Sequence, residues 1–164
     1  MDLAFYTNRH LAKISGFSKR QISYLTERGV IKPEKDSYGR GSIRFYSKFD
    51  LFQVFLVKTL RSTQIEYAQC TDYTRVLCKY WDEYKGLCSG NSHLRRYQFV
   101  IVDALICFVV DADIAIRSFI LDTNGNDMEG SVGSYIVSTQ NAESVISINL
   151  SKIISKVRNA NSVI

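Results

Sequence analysis

Apolar and polar positions follow different rhythms in the two halves of the chain. Over residues 7–29 apolar side chains recur at helical spacing in two short bursts, Leu11, Ala12 and Ile14, then Ile22 and Leu25. Thr7 stands where the first helix needs an N-cap, and Ser15-Gly16 stands where it would end. Ser18-x-x-Gln21 has the spacing of a capping box for the second helix, and Gly29 supplies a left-handed stop. Two short helices around Gly16-Phe17 have the geometry of a helix-turn-helix. Val30-Ile31-Lys32-Pro33 and Ile43-Arg44-Phe45-Tyr46 then flank a polar stretch holding Gly39 and Gly41, which predicts a hairpin, or wing. Ser47-x-x-Asp50 opens a third helix running to about Arg61, apolar on more than one face, so it must be covered on more than one side.

Farther on, Tyr73, Val76, Leu77, Tyr80, Trp81 and Tyr84 form an amphipathic stripe that predicts a helix over 72–84. Gly86 to Ser92, rich in Gly, Ser and Asn, is the best boundary. Beyond it β-branched and aromatic runs predict strands at 97–102, 104–110, 114–121, 132–138 and 144–148. The turn signal Asn124-Gly125-Asn126-Asp127 lies between them, and 104–121 is ambiguous between strand and buried helix. A final short helix, capped by Asn149 or Ser151, carries Ile153, Ile154 and Val157 inside. The expectation is an α+β protein in three parts. Residues 1–63 form a winged helix-turn-helix, 64–92 a connecting helix and linker, and 93–164 a small β-rich domain with a terminal helix, used for dimerisation or effector binding.

Charge sharpens this division. Residues 1–64 hold twelve Lys/Arg against five Asp/Glu, a net +7, while residues 65–164 hold nine against eleven, a net −2. A basic front half suits a module that binds a polyanion. Met1-Asp2-Leu3-Ala4 has an acid where a secretory leader needs positive charge, and the most apolar stretch, 99–121, is interrupted by Asp103, Asp111, Asp113 and Arg117. A cytoplasmic protein that does not engage a membrane is expected, and its four cysteines are expected to be free thiols. His10 and His93 lie in different regions with no nucleophile, acid or glycine-rich phosphate motif beside them, so neither an enzyme nor a cofactor is expected. Asp122-x-Asn124-x-Asn126 has the start of a calcium loop but Asp127 and Gly133 at its sixth and twelfth positions, and is read as a polar turn.

The N-terminal segment resembles the DNA-binding domain of the MerR family of bacterial regulators. The resemblance rests on Tyr6-Thr7, Leu11-Ala12, Ser15-Gly16-Phe17-Ser18, Arg20, Ile22, Tyr24, Gly29-Val30-Ile31-x-Pro33, Arg44-x-Tyr46 and Asp50-Leu51, and it covers about residues 6–62. It implies that the second helix enters a major groove of double-stranded DNA. Ser18, Lys19, Arg20, Gln21, Tyr24 and Arg28 would contact bases or phosphates there, and Tyr38, Arg40 and Arg44 would serve the wing, with Arg44 on phosphate. Ser23 stands where the family usually has arginine, Leu25-Thr26 where it has Tyr-Asp or Tyr-Glu, and heptads do not persist past Tyr84 into the family's long dimer helix. Cys70 and Cys78 share the Cys-x7-Cys spacing of the family's copper and gold sensors. Eight residues on a continuous helix span about 12 Å along the axis, too far to share one ion, so no metal site is expected. The resulting expectation is a sequence-specific transcriptional regulator acting as a homodimer on a two-fold site, with an unknown small-molecule effector possible. The alternative is an excisionase-like protein that bends DNA in recombination.

Overall fold

The computed structural model describes residues 5–34, 43–79, 97–103, 106–111, 118–121, 127–130 and 140–160. The chain opens with a short strand β1 (Tyr6–Thr7), followed by helices α1 (Asn8–Ser15) and α2 (Lys19–Glu27). Strand β2 (Phe45–Tyr46) leads into α3 (Lys48–Ser62) and α4 (Tyr67–Lys79). Strands β3 (Tyr97–Val102), β4 (Ile106–Asp111), β5 (Ser118–Leu121), β6 (Asp127–Gly130) and β7 (Val145–Asn149) follow, and α5 (Leu150–Asn159) is the last element described.

Local chemistry sets the starts of the first three helices. Thr7, Ser18 and Ser47 each accept the amide of the residue three positions on, and His10, Gln21 and Asp50 reach back to the cap amide. All three are reciprocal capping boxes, each satisfying two amides that a helix end would otherwise leave bare. α1 ends on Gly16 at φ +74°, a left-handed residue whose amide closes on the Ala12 carbonyl.

The hairpin expected between 30–33 and 43–46 is not what forms among the described residues. β2 pairs instead with β1, Tyr6 opposite Tyr46 and Thr7 opposite Phe45. The physical reason lies at the end of α2. The amides of Val30 and Ile31 both turn back to the Leu25 carbonyl, at 2.9 and 3.4 Å, which removes them from any ladder. Both side chains become buried packing behind α2, and the Glu34 amide donates to the Phe45 carbonyl at 2.8 Å. Residues 35–42, including Tyr38 and Arg40, lie outside the described residues.

α4 starts at Tyr67, five residues before the expected Asp72. Gln64, in the left-handed region at φ +68°, reverses the chain so that α4 packs back along α3. Cys70, Tyr73 and Leu77 face the core, and Tyr80, Trp81 and Tyr84 of the expected stripe lie outside the described residues.

The second sheet is antiparallel, in the order β6-β5-β4-β3-β7. The ambiguous stretch 104–121 contributes β4 and β5. Asp127, expected to be the last residue of a turn, is instead the first of β6 and pairs with Leu121. The expected strand at 132–138 falls outside the described residues. Phe99 and Ile101 of β3 lie opposite Ile148 and Cys107, and all four join the main core on one face of the sheet. Asn149 caps α5, its Oδ1 accepting the Lys152 amide at 2.9 Å, and Leu150, Ile153, Ile154 and Val157 are buried beneath it. α3 is the shared wall, with β2, α1, α4 and α5 all packed against it.

Candidate nucleic-acid interface

α2 is anchored by its inner face, where Ile22 and Leu25 are both fully buried. That burial turns Ser18, Lys19, Arg20 and Arg28 outward, and all four are exposed. Among the described residues none of these three cations has a carboxylate partner. An exposed cationic helix face held rigidly from behind can offer bidentate and point-charge donors to a polyanion.

The other two residues singled out on this helix are differently placed. Gln21 accepts the Ser18 amide through Oε1 at 2.8 Å and donates from Nε2 to the Tyr67 hydroxyl at 2.9 Å, so both ends of its amide are engaged. Tyr24 is half-buried, edge-on to Tyr67 with ring centroids 5.6 Å apart. The Arg28 guanidinium lies 5.3 Å from the Tyr24 ring, and Arg61 lies 4.6 Å from the Tyr67 ring. Arg61 also donates to the Ile65 carbonyl at 2.8 Å. The result is a continuous stack, Arg28–Tyr24–Tyr67–Arg61, that fastens the outer face of α2 to the start of α4. Neither Arg61 nor Tyr67 is singled out by the sequence, because 46 residues separate Gln21 from the hydroxyl it meets.

In β2, Tyr46 is fully buried and shares a 3.0 Å hydrogen bond with Thr26 of α2. Burial pushes its phenol up, against the opposing pull of Thr26 and of the neighbouring Arg44 guanidinium. Arg44 therefore stands beside the Tyr46 phenol, where β2 meets α2. Asp50, also buried, accepts the Ser47 amide (2.8 Å), the Ser47 hydroxyl (2.7 Å) and the Lys32 amide (2.9 Å), tying the segment after α2 to the start of α3. Burial raises its carboxyl, the bonds from Ser47 and Lys32 draw it down, and the nearby Glu34 adds to the rise. Its role is to hold the frame.

Cys70 and Cys78 sit eight residues apart on the uninterrupted α4, and no group of three metal-ligating side chains occurs among the described residues. Burial lifts the Cys70 thiol to about 11, with Arg61 pulling the other way, and lifts Cys107 to about 12. No described helix is long and apolar enough to cross a membrane.

No curated protein matches the chain. A family model described as "MerR HTH family regulatory protein" matches residues 6–76, which takes in α4 as well as the segment expected from the sequence. The matched stretch, from β1 through most of α4, is thus similar to the helix-turn-helix of the MerR regulatory family.

Proposed function

We propose that the chain is a sequence-specific transcriptional regulator that binds double-stranded DNA through α2 and the wing. The observation that carries this reading is the outward set Lys19, Arg20 and Arg28 on a helix locked from behind, within a segment that matches a regulatory helix-turn-helix family. Arg20 and Lys19 at the start of α2 are the side chains to reach base edges, and Ser18 and Arg28 flank them. Gln21 and Tyr24 serve by fixing the helix against Tyr67. Arg44, with Tyr38 and Arg40 of the wing, serves the phosphate backbone, and Arg61 extends the same cationic edge onto α3. A single such module has one foothold in the groove, so affinity is gained by pairing two copies on a two-fold site.

The test separates base contact from phosphate contact. Arg20→Ala should weaken binding to a selected site more than to scrambled duplex, by about 1–3 kcal/mol per base contact. Arg44→Ala should weaken both duplexes alike and flatten the salt dependence by about one charge per subunit. Affinity titrations of both variants against salt concentration decide it. Loss of only cognate affinity in Arg44→Ala, or no effect of either variant, would refute these roles.

A further inference from the structure

We infer that the outer edge of β7 is the surface on which two copies of this chain pair, strand against strand, into one continuous sheet. β7 ends the five-stranded sheet, with β3 on one side and no described strand on the other. The Asp103 amide donates to the Ser144 carbonyl at 3.0 Å, just ahead of the ladder between β3 and β7. That bond fixes the alternation of an antiparallel pair. Ile146 and Ile148 turn N–H and C=O toward β3, and Val145 and Ser147 turn theirs away. Val145 and Ser147 are both exposed, Val145 at 46%, and among the described residues nothing bonds their outward amides and carbonyls.

The two edges of this sheet differ in what they would accept. β6, at the other end, is short and carries Asp127 and Glu129, then Gly130, features that protect an edge from pairing. From Ser144 to Leu150 the chain holds no charge, no proline and no glycine, so β7 has none of those protections. A neutral edge meets its own copy without repulsion, and the ends of β7 supply attraction. Glu143, exposed at the bend before β7, has no ion-pair partner among the described residues. α5 begins directly after β7, with Lys152 exposed in its first turn and no acid along its length. Antiparallel pairing about a two-fold axis at Ile146 lets Val145 of each copy exchange both backbone bonds with Ser147 of the other. The same axis carries each Glu143 to the end of the other copy's β7, where α5 offers its positive N-terminus and Lys152. A strand of another protein would satisfy the backbone groups, but a second copy brings this charge pairing with it, twice.

The test is sedimentation equilibrium of the full chain without DNA. The edge gives a surface to the pairing that the DNA-binding reading invokes, and it is measured apart from that reading. The parent should dimerise reversibly. Ser147→Pro removes an outward amide that the single chain does not use, and edge strands tolerate proline at such positions. It should weaken the dimer by at least about tenfold, one hydrogen bond being lost in each half. Val145→Lys, which charges the edge, should weaken it by a similar factor. Both variants should keep the circular dichroism of the parent; if the proline variant does not, Val145→Lys and the charge swap decide. In that swap Glu143→Lys should weaken the dimer by about threefold or more, and adding Lys152→Glu should restore it, which a merely structural role of either residue would not do. A parent that stays monomeric at every concentration, edge variants that dimerise like the parent, or a charge swap without recovery would each overturn the assignment. Arg20→Ala reads DNA contact separately. A monomer that still binds duplex overturns the edge alone, and a dimer that ignores duplex overturns the DNA-binding reading alone.

Discussion

Replacing Tyr67 tests whether the stack on α2 is a working fastening. Its ring meets Tyr24 edge-on, receives the Arg61 guanidinium at 4.6 Å, and its hydroxyl accepts from Gln21 at 2.9 Å. An edge-to-face pair contributes about 0.5–1.5 kcal/mol beyond area, a guanidinium on a partly exposed ring about 0.5–1 kcal/mol, and a neutral hydrogen bond about 1 kcal/mol. Tyr67→Ala should therefore cost about 2–3 kcal/mol of folding stability, and Tyr67→Phe, which keeps both rings and loses only the bond to Gln21, about 1 kcal/mol. Urea unfolding of both variants gives these numbers, and a double-mutant cycle with Tyr24→Ala isolates the ring pair. A coupling below about 0.3 kcal/mol, or a Tyr67→Ala cost no greater than the roughly 0.5 kcal/mol of an ordinary surface change, would refute the stack as a structural element.

Three further outcomes follow from the same geometry. Gly29→Ala should cost about 1–2 kcal/mol through its φ of +68° alone, since nothing lies within 4 Å of the added carbon, whereas in Gly16→Ala that carbon would come 2.9 Å from the Lys58 ammonium. The flexible Lys58 side chain can swing aside, so urea midpoints should show losses of similar size for the two, each set by its positive φ. Because Asp50 has a raised carboxyl, the folded state holds its proton more tightly than the unfolded chain. Its contribution to stability is therefore full below the ordinary value of 3.8 and is lost as pH rises through the folded value. Wild type should lose stability relative to Asp50→Asn as pH rises above about 4, measured by urea unfolding at successive pH values. With thiols at about 11 and about 12, Cys70 and Cys107 should alkylate with iodoacetamide at pH 8 at least about a hundredfold more slowly in the folded protein than in urea, as mapped by peptide mass.

What the sequence disclosed and what it withheld follow from the range of the interactions. Each capping box is written within four consecutive residues, so Thr7, Ser18 and Ser47 and their partners can be read directly. The cap of α5 could be narrowed to Asn149 or Ser151, and only the path of the chain leaving β7 selects Asn149. Val30 and Ile31 have the composition of a strand, but the end of α2 takes their amides, and no residue type announces that. The early start of α4 was hidden because the reversal before it is made by Gln64 and not by glycine, and because Cys70 extends the apolar stripe without looking like core. At the site, the outward cations of α2 follow from helical periodicity alone. The engagement of Gln21 by Tyr67, and of the Lys32 amide by Asp50, spans 46 and 18 residues and belongs to the tertiary fold.

α3 has almost no surface of its own: from Asp50 to Val57 every residue is buried, by elements that come before it and after it in the chain. Cutting the chain just after α3 would expose to water the apolar side that α4 and α5 cover, so the helix-turn-helix and the C-terminal half share one core. A recombinant that joined this helix-turn-helix to a foreign C-terminal half would have to supply a matching surface for Phe55 and its neighbours. The same wall ties the two ends of the chain together: α5 packs on α3, and α3 packs in turn on α1 and β2.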